Sequence, residues 1–147
     1  MTQLKASNLN IYKSVDDWLN PSNATVFQTN SYISTEISVK PGDRIKIKAS
    51  GTVQFGAFAG SGGPNGIASN RIYNYFRGVP HGRLMARVRQ PGMGEWDGWF
   101  PIGVGWDQVR EVKLSAPGVL EFLVNDKETE NNIGAFRIEV TIRSGKQ

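Results

Sequence analysis

Wherever apolar and polar residues alternate regularly along the chain, the period is two, the spacing of a strand with one face in a core and the other in water. The longest run occupies 135–143, with Phe136, Ile138, Val140 and Ile142 on one face and Arg137, Glu139, Thr141 and Arg143 on the other. The same alternation covers 33–39, reverses through Lys40-Pro41-Gly42-Asp43, and resumes over 44–49, a pattern that predicts a hairpin. Shorter runs predict strands at 52–55, 84–89, 99–102, 109–114 and 119–124, the last two separated by a turn at Ser115-Ala116-Pro117-Gly118. Helical periodicity is nearly absent, and about eight strands at this spacing suit an all-β, two-sheet antiparallel β-sandwich.

Two stretches depart from this pattern. Residues 1–30 mix Asn, Ser and Asp with a few apolar positions, and Ser14-Val15-Asp16-Asp17-Trp18-Leu19 could begin a short helix capped by Ser14. The first 21 residues are therefore read as an extension or cap, and 22–147 as the sandwich domain. The stretch 56–82 is too long for an ordinary connection and is rich in Gly, Asn, Tyr and Phe, so it is expected to be functional rather than disordered.

Composition narrows the chemistry. A chain of 147 residues fits one domain, and at this size roughly 68–70% of the unfolded surface can be buried without staples. With no cysteine, disulfides and thiolate metal sites are excluded, so a metal would be held by oxygen or by the single histidine, His81. That favours calcium or magnesium. The formal charge of +4 is modest and scattered, as a solubilising surface requires, and nucleic acid is not an expected partner. No apolar run approaches a membrane span, and residues 1–12 lack a signal-peptide pattern. Synthesis in the cytoplasm without membrane insertion is expected, with export by a signal-free route left open.

The densest polar cluster is 125–134, Asn-Asp-Lys-Glu-Thr-Glu-Asn-Asn-Ile-Gly, between two strands. Asp126, Asn131 and Asn132 could converge on one calcium ion, which takes six to eight oxygen ligands; an ordinary polar turn has the same composition. The spacing is not that of an EF-hand. His81 lies in Val79-Pro80-His81-Gly82-Arg83 without a nucleophile motif and reads as a turn histidine, while Trp96, Trp99 and Trp106 read as core. Glu95, Asp97 and Asp107 do not make a paired-carboxylate hydrolase, and no enzyme is expected.

The order Asn125-Asp126, then Asn131-Asn132-x-Gly134-x-Phe136 and an alternating terminal strand, resembles the close of the PA-IL-like, calcium-dependent galactophilic bacterial lectins. Pro41-Gly42-Asp43, Ala49-Ser50-Gly51, Phe55-Gly56 and Gly63-Pro64-Asn65-Gly66 follow the same family in the same order, so the similarity spans roughly 24–143. The resemblance implies a galactose-binding-domain-like jelly roll and calcium ligation by the side chains of Asp126, Asn131 and Asn132. Two backbone carbonyls would complete the protein ligands. One falls on Phe55 and the other on Glu128 or Thr129, because the loop is shorter than in the best-known member.

Asp126 and Asn131 would also hold the sugar through its vicinal hydroxyls. The family's further sugar contacts fall near 70–75, where Asn70 and Tyr73 are the candidates, although the family's histidine and glutamine have no clear match there. Tyr73, Tyr75 or Phe76 could offer an apolar platform. The expected function is thus a calcium-dependent lectin for galactose-containing glycans, with a homo-oligomer the assembly the resemblance carries. The alternatives are a structural or interaction module that has lost sugar binding, and an accessory module contacting its target through Arg83, Arg87 and Arg89.

Overall fold

The long alternating run near the end of the chain pairs along eleven residues with the strand that begins at Arg44. The computed structural model describes residues 24–56, 60–68, 73–106 and 110–144. The expected cap at 1–21, the helix begun at Ser14 and Asn70 lie outside these residues.

Among the described residues the strands are β1 (Thr25–Thr29), β2 (Tyr32–Val39), β3 (Arg44–Gln54), β4 (Ser61–Gly62), β5 (Leu84–Arg89), β6 (Phe100–Pro101), β7 (Arg110–Glu111), β8 (Gly118–Val124) and β9 (Ile133–Arg143). One sheet runs β1-β9-β3-β4, with β7 also on β3, and the other runs β2-β8-β5-β6. All pairings are antiparallel. The architecture is a two-sheet β-sandwich, as the alternation implied.

The inner faces supply the core. Ile45, Ile47, Ala49 and Val53 of β3 and Phe136, Ile138, Val140 and Ile142 of β9 meet Ile37, Val39, Leu84, Ala86, Leu120, Phe122 and Val124 from the facing sheet. Each large aliphatic or aromatic side chain buried this way contributes about 1.5–3 kcal/mol. The two runs at 44–49 and 52–55 prove to be one strand, β3, with Phe55 immediately beyond it.

The expected hairpin at 33–49 is not one. The turn forms, with the Asp43 amide donating to the Lys40 carbonyl (3.0 Å) and the Lys40 amide to Asp43 Oδ2 (2.9 Å). Yet β2 pairs with β8 and β3 with β9, so the chain crosses from one sheet to the other. Alternation shows that each strand has an apolar face; packing those faces against each other satisfies it as well as edge-to-edge pairing does. The turn at 115–118 crosses in the same way, because β7 pairs with β3 while β8 joins the other sheet. Thr141 and Arg143, expected in water, are buried.

Part of the outer face of the second sheet is covered as well, although Tyr32 and Arg89 stay about half exposed. Glu121 of β8 is fully buried there. Its carboxylate accepts from Arg87 Nε (2.9 Å), Arg89 Nε (2.6 Å) and the Tyr32 hydroxyl (2.9 Å). Arg87 Nη1 also donates to the carbonyls of Gly94, Glu95 and Asp97 at 2.9–3.0 Å, and its guanidinium lies 4.7 Å from the centre of the Trp99 ring. This network ties the segment 94–99 onto the sheet. It also removes Arg87 and Arg89 from the free basic face that the accessory-module reading needed.

Burial alone would raise the Glu121 carboxyl, but hydrogen bonds from Arg89, Arg87 and Tyr32 outweigh it and hold the group below its ordinary value of 4.5. A carboxyl depressed by folding contributes stability above that ordinary value and loses it as pH falls through the folded one. Glu121→Gln is expected to destabilise the fold by about 3 kcal/mol, because it leaves Arg87 buried without its counter-charge. Denaturant melts from pH 7 to pH 3 should show a steeper loss below pH 4.5 for the wild type than for the variant. Parallel pH profiles would contradict this role.

Candidate functional site

One end of the sandwich gathers the turn between β1 and β2, the residue after β3, the segment 73–83 before β5, and the segment 125–132 between β8 and β9. Asn125, fully buried, joins two of these. Its Oδ1 accepts from the Phe76 amide (2.9 Å), and its Nδ2 donates to the carbonyls of Phe76 (2.9 Å), Val79 (3.1 Å) and Pro80 (3.2 Å). Its own carbonyl accepts from the Gly82 amide (3.0 Å), and the Lys127 amide donates to the Tyr73 carbonyl (2.7 Å). The loop that carries Asp126 is therefore stitched on both sides to the segment 73–82.

Gly82 shows how closely these parts approach. Its φ is +77°, a region that disfavours side chains, and a Cβ there would collide with the Phe55 ring. The Phe55 ring instead stands edge-on to His81, with centroids 5.1 Å apart and planes at 69°.

His81 is buried, and its tautomer follows from its neighbours. Asn74 Nδ2 donates to the Val79 carbonyl (2.9 Å), which fixes Asn74 Oδ1 towards His81 Nδ1 at 2.6 Å. Because that oxygen only accepts, Nδ1 carries the proton. Burial lowers the imidazole's affinity for a second proton, against the opposing pull of Asp126, so Nε2 presents a lone pair. It faces Asp126 Oδ2 at 3.8 Å.

Asp126 is 1% exposed. Its Oδ1 accepts from the Glu128 amide (2.9 Å), while Oδ2 has no hydrogen-bond partner. A buried carboxylate oxygen opposite an imidazole lone pair is a place for a cation, because two acceptors cannot satisfy each other. At the far end of the loop, Asn132 Nδ2 donates to the Asn30 carbonyl (3.1 Å), and its buried Oδ1 is likewise without a donor. Between them, Thr129–Asn131 makes a single 3-10 turn, closed by the Asn132 amide on the Thr129 carbonyl (3.0 Å).

Asn131 is exposed, and its amide lies where a Cβ on Gly56 would project, 3.2 Å away. This places it beside the backbone that follows Phe55. The structure thus brings Asp126 and Phe55 together through His81, sets Asn131 against Gly56, and anchors Asn132 to the β1–β2 turn. Glu128 reaches Asp126 through its amide. Tyr73 touches the loop through its carbonyl, with its ring 40% exposed.

Oxygen donors suit a hard divalent cation, and the two donorless oxygens are acceptors of the right kind. Among the described residues no group of three or more His, Cys, Asp or Glu side chains could hold a metal, so such a site depends on amide and carbonyl oxygens. The residues present fit calcium better than zinc.

The expectation that the tryptophans are core holds unevenly. Trp106 packs against the core, whereas Trp96 is 47% exposed, because its segment lies over the outer face of the second sheet and not between the sheets. The roles of Asn125, Asn74 and Asn30 were not anticipated; the only sequence signal was the wealth of asparagine in 70–75 and 125–132.

No family model matches the sequence, and no curated protein does either. Among solved structures, the fold is shared with the N-terminal domain of EclA, a PllA-like lectin, with a TM-score of 0.59 at 20% identity, covering 83% of this chain and 99% of that one. The likeness is one of fold.

Replacing Asn125 with Ala would strand the Phe76 amide and take one donor from each of three carbonyls, which keep bonds from Val79, Asn74 and Arg83. A loss of about 1–3 kcal/mol is expected, measurable in urea, since an orphaned buried group costs about that much. A loss below about 1 kcal/mol would mean that the two segments are not held together by this side chain.

Proposed function

We propose that this protein is a calcium-dependent lectin recognising galactose-like sugars. The observation that carries the reading is the pair of buried, donorless oxygens, Asp126 Oδ2 and Asn132 Oδ1, at the two ends of one anchored loop. The fold shared with a PllA-like lectin supports it.

In this reading Asp126, Asn131 and Asn132 hold the ion by side chain, with the carbonyls of Phe55 and of Glu128 or Thr129 completing the protein's share. When bound, calcium supplies coordination positions for two vicinal hydroxyl oxygens, and no bond is broken. Asp126 has the role of neutralising the ion and accepting a hydrogen bond from a sugar hydroxyl. Its fixed position, set by the Glu128 amide and by Asn125 next door, limits the reorganisation needed on binding. Asn131, the exposed member, is the side chain best placed to meet ion and sugar together. His81 keeps a lone pair beside Asp126 and packs on Phe55, which holds the inner wall of the site. Tyr73 is a candidate rim contact, and homo-oligomerisation would raise the avidity of individually weak sites.

Calcium at about a hundred times its dissociation constant should stabilise the fold by roughly 2.7 kcal/mol, or about 5–10 °C in a thermal melt at this size. Chelation should abolish the shift. Asp126→Asn should lose both the shift and calcium-dependent binding to a galactoside, and Asn131→Ala should lose the galactoside binding. An equal shift in Asp126→Asn, or galactoside binding that survives chelation, would overturn the reading.

A further inference from the structure

At the same end of the sandwich, aromatic side chains that ought to be buried are in water. Tyr75 is 36% and Trp96 47% exposed, and neither belongs to the core cluster. They come from separate segments and meet with ring centroids 4.8 Å apart and planes at 36°, while Phe76 supports Trp96 edge-on at 6.1 Å. A plug for the sandwich end would be covered; this pair is a surface shelf.

Its position is fixed from both sides. Arg87, buried on Glu121, holds the carbonyls on either side of Trp96, at Glu95 and Asp97. The backbone beside Tyr75 is bonded to the Asp126 loop through Phe76 to Asn125 and Lys127 to Tyr73. The Tyr75 hydroxyl is raised by burial and, next, by the Asp126 carboxylate, whose field reaches it. The shelf therefore adjoins the candidate cation site.

We propose that Tyr75 and Trp96 form a second subsite, on which the sugar ring linked to the cation-bound residue of a glycan stacks its C–H face. The inference rests on the lectin reading and extends it from a terminal sugar to at least a disaccharide. A pyranose has one face of C–H bonds whose hydrogens are drawn to the negative face of an aromatic ring. Two rings match one sugar, whereas a protein partner needs about 800 Å² on each side. Glu95 and Asp97, exposed on either side of Trp96 in the sequence, suit a polyhydroxylated ligand, which offers hydrogen-bond donors.

The test is calorimetric titration of the full chain in saturating calcium with methyl galactoside and with galactose-terminated disaccharides of differing linkage. The wild type should bind at least one disaccharide more tightly than the monosaccharide. Trp96→Ala should weaken that disaccharide about three- to tenfold, the range of one aromatic contact, while leaving methyl galactoside and the calcium-induced melting shift unchanged. Trp96→Phe should recover part of the loss. If the wild type binds both sugars and Trp96→Ala binds the disaccharides equally well, the subsite falls and the lectin stands. If the wild type shows the calcium shift but binds neither sugar, the lectin reading falls and the subsite with it.

Discussion

A carboxylate removed from water must be given donors or a counter-charge, since the effective penalty for burying an ion is several kcal/mol. The sandwich contains two that invite comparison. Glu121 is met by two arginines and a tyrosine hydroxyl, and its needs are fulfilled within the protein. Asp126 is buried to nearly the same degree and receives one backbone amide, leaving Oδ2 against the lone pair of a neutral imidazole. The first arrangement is complete and structural; the second leaves one buried oxygen without a donor. Most of the architecture at that end keeps this incomplete site in shape.

The two carboxylates are connected in what they organise. Glu121 fixes Arg87, Arg87 fixes the segment 94–99, and that segment delivers Trp96 onto Tyr75 and Phe76, the latter bonded to Asn125. From the other direction, Asn125 ties the segment 76–82 to the start of the Asp126 loop. Loops that carry binding residues are usually the mobile part of a sandwich. Here buried hydrogen bonds to backbone carbonyls tie the described segments of the rim together, which would limit the affinity that a ligand loses to ordering.

Much of the sandwich was legible because a period of two records burial on one face. The runs at 44–49, 84–89, 119–124 and 135–143 each became strands with those residues facing inwards. Pairing was not legible. Lys40-Pro41-Gly42-Asp43 specifies a turn, and a turn can lead to the neighbouring strand or to the opposite sheet without any change in its residues. The strand at Thr25–Thr29 was missed because it lies in a stretch without clear alternation. Of the site, the loop bearing Asp126, Asn131 and Asn132 stood out by composition and by family resemblance. The hydrogen bonds that hold it were hidden: Asn74 is seven residues from His81 and Asn125 forty-nine from Phe76, distances that only folding makes short. Trp96 was misjudged for a related reason, since a large aromatic residue reads as core until its segment is seen to cross the outside of a sheet.

The central claim is that a divalent cation supplies what the protein withholds from Asp126 Oδ2. A crystal structure of the protein grown in calcium, with anomalous data to identify the ion, addresses it most directly. The account expects one calcium within about 2.3–2.6 Å of both Asp126 Oδ2 and Asn132 Oδ1. A protonated His81 hydrogen-bonded to Asp126, with no ion between the loop's two ends, would contradict it.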